Sequence, residues 1–396
     1  MSRPFKLSKS RLLAFRQCPK RLWLQTYRPE LAELDATASA VMASGTAVGE
    51  VFRSLYSNGV LIDDESLRDA LASTREALIN VPDCPIFEAT FEANDVLVRV
   101  DMLAPSPDGY HLLEVKSSTS VKNYHLDDAA IQTWVAQAAG IPVTRTAIAH
   151  IDYSFIYPGE GKYRGLFVEA SIDQPVAERL PQIMHWVRDA QAMLAGDEPS
   201  IDTGQQCHEP FACPFLAYCA PLVDGPEYPV EILPRSHRLV AALKAEGYDD
   251  LCSVPDDRLE RAIHQKVWRV TRSGQAELTA AGRQITRSLP YPRYYLDFET
   301  ISFAVPRWAG TRPYQQVPFQ FSCHIELAPG TVAPTGFLSS DGQDPRRPFA
   351  EALIKAVNAT AFTEQGMDFD PMGPVLVYNA SFERSRIKEL AEYFPD

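Results

Sequence analysis

The chain has 396 residues, 45% hydrophobic and 22% charged, with a formal net charge of −13. That length suits two or three domains, and the acidic balance excludes diffuse attraction to nucleic acid while leaving room for a local basic patch. No apolar stretch approaches the ~20 residues that a membrane-spanning helix needs, so no membrane partner is expected.

LSKSRLLAFRQCPKRLWLQTYRP, residues 7–29, has apolar residues at helical spacing, with Ser8 or Ser10 as N-cap and Pro29 as its stop. It is read as a helix. No acid precedes Glu30, whereas Arg3, Lys6, Lys9, Arg11, Arg16, Lys20, Arg21 and Arg28 do. Such a face is most often simply solvated. A transit peptide has the same composition, but this segment also carries Cys18, which is used below. If the face binds a partner, Lys9, Arg11, Arg16, Lys20 and Arg21 are the candidate phosphate contacts. The seven cysteines form no dense framework of the kind found in small secreted domains. A cytoplasmic protein with reduced thiols is expected.

A second helical stretch follows at SGTAVGEVFRSLY, residues 44–56. The period then changes to that of strands. IFEATFEA (86–93), DVLVRVDMLAP (95–105) and YHLLEVKSS (110–118) read as three strands, the last two joined by the turn signal Ser106-Pro107-Asp108-Gly109. LDDAAIQTWVAQAAG (126–140) is a helix, TRTAIAHIDYSFIY (144–157) a strand, and residues 175–195 another helix. Strands in a meander flanked by helices indicate an α/β fold. Residues 231–287 look helical and charged, like a connector, and at YPRYYLDFETISF (291–303) a buried-looking strand opens a new domain. The expected division is 1–225, 226–290 and 291–396.

Two groups of residues carry chemistry in the first segment. Asp101 is placed at the end of one strand, and Glu114 and Lys116 on the next. Residues two apart share a strand face, so across the hairpin Asp101 and Glu114 could converge on a divalent ion. Lys116 would stand beside it to orient water or stabilise a phosphorane. Gln132, one turn into the next helix, could reach the same place. Spacing alone matches many ordinary strand faces. The other group is CHEPFACPFLAYC, which leaves five residues between Cys207 and Cys213 and five between Cys213 and Cys219. With Cys18 as a fourth ligand these thiols suit a soft metal centre. Zinc remains open, although its usual short knuckles are absent, and a [4Fe–4S] cluster tolerates such spacing. Joining residue 18 to 207–219 would staple the domain. Cys84, Cys252 and Cys323 are isolated and read as structural.

An early Cys-Pro, then G-x-x-V, Asp, Glu-x-Lys, a helical Gln and three late cysteines occur here in one order. Over residues 1 to about 225 this resembles the iron–sulfur RecB-like nucleases of the PD-(D/E)XK superfamily, which include the CRISPR-associated exonucleases and the AddB type. The resemblance implies a restriction-endonuclease-like core that hydrolyses DNA. Asp101 and Glu114 would bind Mg²⁺ or Mn²⁺, Lys116 would be the catalytic lysine and Gln132 the auxiliary residue. Cys18, Cys207, Cys213 and Cys219 would bind a [4Fe–4S] cluster. One departure stands out: where related nucleases carry a metal-binding His after G-x-x-V, this chain has Gly49.

In the last segment Asp297 and Glu299 lie two apart, and Asn379-x₃-Glu383 opens a helix after a strand. D-x-E followed by N-x₃-E resembles the first two motifs of the DEDD exonucleases, which have an RNase H-like fold and hold two metal ions. The stretch DFET to PFQFS, residues 297–322, also resembles a bacterial family of unknown function that joins the two halves, a likeness spanning essentially the whole chain. The sequence ends at Asp396, before a third motif, so an incomplete domain without exonuclease activity is expected. A catalytically weak nucleic-acid-binding or adaptor protein is the alternative reading.

Overall fold

The computed structural model describes residues 6–33, 36–220, 225–357 and 373–395. It begins with a short strand β1 (Leu7–Ser8), then α1 (Lys9–Gln17) and α2 (Pro19–Tyr27). The apolar spacing of residues 7–29 predicts one helix, and the chain forms two. Cys18 is extended, at φ −160° and ψ 119°, because the ring of Pro19 disfavours helical backbone in the residue before it. Ser8 caps α1 by accepting a hydrogen bond from the Arg11 amide. Pro19 sits at the first position of α2, where a missing N–H costs nothing.

Helix α3 (Ala36–Ser54), β2 (Val60–Leu61) and α4 (Leu67–Asn80) lead into β3 (Ile86–Ala93), β4 (Val96–Ser106) and β5 (Gly109–Lys116). These three strands are antiparallel neighbours. Both hairpin turns have two residues. Asn94 and Asp95 are left-handed at φ 51° and 61°, as a tight turn between right-twisted strands demands. At the other turn Ser106 pairs with Gly109. Strand β4 runs well past Asp101, which lies in its middle rather than at its end.

Helix α5 (Asn123–Ala138) crosses back to β6 (Val143–Ile151), which lies parallel to β5, and β7 (Phe167–Ser171) closes that side. The seven-stranded sheet has the order β2-β3-β4-β5-β6-β7, with β1 beside β4. Helix α5 is buried on most sides, including the polar His125, Asp128, Gln132 and Thr133, so those groups need partners inside the protein. Together with α6 (Asp173–Leu194) it covers one face of the sheet over a core including Leu103, Leu112, Ile131 and Ile148.

Strand β4 is shared along its length. Its Met102–Ser106 half pairs with β5, and Val96–Leu97 pair with β1. Between those pairings β4 and β5 separate, and the first helical residue after β1 arrives there. The split is where the candidate site forms.

A short α7 (Leu216–Cys219) ends the first segment. Helices α8 (His237–Ala245), α9 (Ala262–Ser273) and α10 (Ala280–Ser288) follow, the first two sharing a small apolar cluster around Leu243 and Leu251. Strands β8 (Arg293–Ile301), β9 (Val317–Ala328) and β10 (Thr331–Leu338) form an antiparallel meander, with β11 (Val375–Leu376) parallel to β8. Helices α11 (Arg346–Val357) and α12 (Ala380–Tyr393) complete the mixed α/β arrangement. The loop between β8 and β9 reaches the first sheet. Tyr314 donates its hydroxyl to the Ser117 carbonyl, Tyr163 donates to the Pro306 carbonyl at 3.0 Å, and Ala304 is buried with Val48, Ile151 and Leu166.

The β4–β5 hairpin sets the register of the site, and it depends on Gly109. Its φ is +145°, and a Cβ there would lie 2.1 Å from the Pro142 carbonyl oxygen. Gly109→Ala is therefore expected to cost about 2–4 kcal/mol in urea unfolding. An unchanged midpoint would mean that the turn accommodates the side chain.

Candidate active site and the four-cysteine cavity

The register Met102↔Leu113, continued by one residue, brings Asp101 beside Glu114. The strands do not remain paired there. Instead Asp101 Oδ2 accepts the Val115 amide at 2.7 Å, so a side chain takes the place of a ladder carbonyl. Glu114 is almost fully buried. Its Oε1 accepts from Lys116 Nζ at 2.6 Å and from Lys9 Nζ at 2.9 Å, and its Oε2 accepts from Gln132 Nε2 at 2.5 Å. Gln132 lies deeper in α5 than the sequence suggests, since the helix already starts at Asn123.

Two members of this cluster are not apparent from sequence motifs. Asp128, four residues before Gln132, projects from the same helical face. It accepts from Lys116 Nζ at 2.5 Å, Lys9 Nζ at 2.9 Å and Gln132 Nε2 at 3.1 Å. The i,i+4 relation to Gln132 was the available signal. Lys9, expected among phosphate contacts on a solvated face, instead bridges Glu114 and Asp128 from the start of α1. Only the tertiary path of β1 brings it there.

The electrostatics follow from burial and charge. Burial pushes the Asp101 carboxyl up to about 7, and the Glu114 charge adds to this, against the pull of Lys9, Lys116 and the Val115 amide. For both lysines burial works toward the neutral form, but Glu114 and Asp128 outweigh it and hold Lys9 and Lys116 above the usual lysine range. Burial also opposes charge on Asp128, yet the two lysines hold it well below the ordinary carboxylate range. His125 takes the opposite course. Burial, then Lys116, pushes it down to about 4, and its Nδ1 accepts the Lys122 amide at 3.1 Å.

A cleft of about 520 Å³ opens over this cluster, lined by Gly45, Gly49, Glu88, Asp101, Glu114 and Lys116 among others. Glu88 also went unrecognised in the sequence. The β3–β4 register puts it opposite Asp101, and its φ of 56° is an outlier for a strand residue, strain of the kind that collects at functional sites. An acid inside the apolar run IFEATFEA was the clue. Gly49, where related nucleases carry a histidine, faces the cleft, and a Cβ there would stand 3.5 Å from Arg53 Nη1. Arg53 pairs with Glu88 at 3.6 Å, so a cation stands beside that position.

Hard carboxylate oxygens suit Mg²⁺ or Mn²⁺, and Asp101 keeps one oxygen beyond its bond to Val115. Glu114, by contrast, has both oxygens engaged. Among the described residues no group of three or more His, Cys, Asp or Glu could hold a metal ion as arranged. The donor types fit a divalent ion, and the lysines compete for them.

Cys18, Cys207, Cys213 and Cys219, drawn from the α1–α2 break and a distant segment, line one small cavity together with Lys20 and Arg21. All are free thiols. Burial raises Cys213 and Cys219, while Arg21 opposes this at Cys213 and Lys20 at Cys219. Arg21 Nε is buried with no hydrogen-bond partner. An unsatisfied guanidinium nitrogen beside four thiols fits an anionic thiolate centre. Of the isolated cysteines, Cys323 is fully buried in the second sheet and Cys84 and Cys252 are half-buried.

The remaining basic candidates have partners within the fold. Arg11 donates to the Lys6 carbonyl and Thr26, and Arg16 reaches Asp127 at 3.5 Å and lies over Trp186. Lys20 pairs with Glu198 at 3.0 Å, and Arg21 donates to Gln17. In the last segment Asp297 and Glu299 share a face of β8, but that face is exposed and the alternate residues Leu296 and Phe298 form the core. The expectation of a buried strand is corrected: burial imposes no cost on these acids. Glu383, near the start of α12, is buried with Oε2 unpartnered.

The raised Asp101 carboxyl has a consequence for stability. The folded group keeps its proton up to about 7, whereas a free carboxyl near 3.8 has lost it. Stability from this group is thus full below about pH 4, falls as pH rises toward 7, and is flat above. Asp101→Asn removes the charge and keeps an acceptor for Val115. It is expected to raise the melting temperature at pH 8 and leave it nearly unchanged at pH 4. A lower melting temperature at pH 8 would contradict the assignment.

Residues 294–396 match a family described as "Domain of unknown function (DUF2779)". Among curated proteins there is no match. A solved structure titled "Crystal structure of SSO0001" is 14% identical and covers 56% of this chain and 88% of its own, with a TM-score of 0.29. A similarity that slight carries no argument about fold or function.

Proposed function

We propose that residues 1–225 form a PD-(D/E)XK nuclease core that hydrolyses DNA phosphodiester bonds with Mg²⁺ or Mn²⁺, stapled by a [4Fe–4S] cluster on Cys18, Cys207, Cys213 and Cys219. The observation that carries this reading is that Asp101, Glu114 and Lys116 line one cleft, with Lys116 and the buried Gln132 both within hydrogen-bond distance of Glu114. Asp101 and Glu114 would hold the ion, which when bound supplies an activated water and neutralises phosphate charge.

The protein's own groups define the rest. Lys116 is held above the lysine range, so it acts as a fixed cation that stabilises charge gathering on the phosphate, and not as a base. Gln132 pins Glu114 Oε2 and so fixes the carboxylate plane. Gly45 and Gly49, one turn apart on α3, leave the cleft wall bare where a nucleic-acid backbone would lie. Residues 291–396 are assigned an RNase H-like fold related to DEDD exonucleases.

A second reading is a nucleic-acid-binding or adaptor protein that kept the fold and lost turnover. Glycine at position 49 and the engagement of both Glu114 oxygens favour it. A Mn²⁺-dependent cleavage assay separates the two. Lys116→Ala is expected to reduce cleavage by about 10²-fold or more, and equal activity in variant and wild type would end the mechanism. For the cysteines, anaerobic purification should yield iron and acid-labile sulfide, lost in Cys18→Ser. Stoichiometric zinc without sulfide would overturn the cluster.

A further inference from the structure

We infer that Lys9 is an internal counterion: its ammonium holds the place of a divalent cation between Glu114 and Asp128 and withdraws when the cation binds. The inference rests on the metal-dependent reading above and adds a control that none of the expected motif residues supplies.

Lys9 Nζ lies 2.9 Å from Glu114 Oε1 and 2.9 Å from Asp128 Oδ1. The side chains of these carboxylates are only 2% and 6% exposed. Two buried carboxylates without a cation would repel and remain desolvated, a cost of several kcal/mol that pairing must offset. Lys9 and Lys116 supply that pairing. The formal charges show which arrangement a divalent ion can join. With Lys9 in place, Glu114, Asp128, two lysines and one divalent ion sum to +2. With Lys9 withdrawn the sum is +1. A desolvated site favours the smaller net charge.

Of the two lysines, Lys9 is the one suited to leave. Lys116 is on β5, paired on the β6 side with His150. Lys9 is the first residue of α1, where its charge adds to the positive end of the helix dipole and is disfavoured. Its flexible four-carbon stem can swing outward with no backbone change. Release of Lys9 frees one acceptor position on Glu114 and one on Asp128 together. Asp128 thereby becomes available beside Glu114.

The test uses the full chain, purified anaerobically, with Mn²⁺ as the probe. Calorimetric titration of Lys9→Met is expected to show Mn²⁺ binding tighter than wild type by on the order of tenfold, the effect of removing one unit charge near the ion. Lys9→Gln should fall between the two. A merely structural role for Lys9 would weaken binding or leave it unchanged in both variants, and either result overturns the inference. A second measurement needs no variant. Reductive methylation of the wild-type chain, read by mass spectrometry, should label Lys9 faster with saturating Mn²⁺ than without it, while Lys116 labelling stays low. Equal labelling of Lys9 in the two states also overturns it. Asp101→Asn separates the two levels of the argument. Mn²⁺ binding that depends on Asp101 but not on Lys9 overturns the counterion alone. No Mn²⁺ binding by wild type or Lys9→Met overturns the metal-dependent reading and the counterion with it.

Discussion

The first segment is organised around one electrostatic constraint, the burial of Glu114 and Asp128 against each other beneath a sheet. Neither carboxylate could be buried alone. Each is matched by Lys9 and Lys116, and the Gln132 amide donates to both. Removing one partner from such a set typically costs about 3–5 kcal/mol, because it leaves an uncompensated charge in a dry place. The geometry of the segment can be read as what this arrangement requires. Strands β4 and β5 must separate to admit the side chains, β1 must occupy the opened edge, and α5 must lie close enough for Asp128 and Gln132 to reach the sheet.

The N-terminal segment serves two sites through one short helix. Lys9 begins α1 and enters the carboxylate cluster, while Cys18 follows its end and enters the cysteine cavity. A nine-residue helix spans about 13 Å, so the two places are rigidly spaced. The kink at Cys18-Pro19 turns the thiol toward Cys207, Cys213 and Cys219, whereas an unbroken helix would have presented it along the α1 face. Gln17, next to it, donates to the Gln206 and Phe211 carbonyls at 2.8 and 2.7 Å, tying α1 to the same loop. A centre bound by the four thiols would therefore hold the helix that positions Lys9.

How much of this was legible in the sequence depends on whether a residue's neighbours are local. The turn Ser106 to Gly109 gave the register that aligns Asp101 with Glu114, and strand alternation put Lys116 beside Glu114. Cys18 could be grouped with distant cysteines only through the shared chemistry of thiols. Lys9 was not legible, since nothing within several residues distinguishes it from a solvated lysine. The Cys18 break was signalled by Pro19, but the apolar spacing continues through it and suggested one helix. In β8 the alternation of Tyr294, Leu296 and Phe298 with Tyr295, Asp297 and Glu299 already specified one buried and one exposed face. Local context decided those cases, and the path of β1 decided Lys9.

The two halves of the chain meet where the candidate chemistry is located. Strand β5 ends at Lys116, and the next residue, Ser117, accepts the Tyr314 hydroxyl from the loop between β8 and β9. The same loop exchanges backbone hydrogen bonds with Tyr157, at 2.9 Å from its amide to Thr311 and 2.8 Å to its carbonyl from Gly310. Tyr393 of α12 in turn donates to Gly310 at 2.8 Å. The position of Lys116 is thus fixed on the α5 side by Asp128 and next to its C-terminal end by the second sheet. A lysine that must stay charged and stationary gains from both, because each hydrogen-bonded constraint removes a way for its ammonium to leave the carboxylates. Lys9 is held through its neighbours as well, by the pairing of Leu7 and Ser8 with β4, but its place at the positive end of α1 disfavours its charge, which Lys116 on its strand does not face.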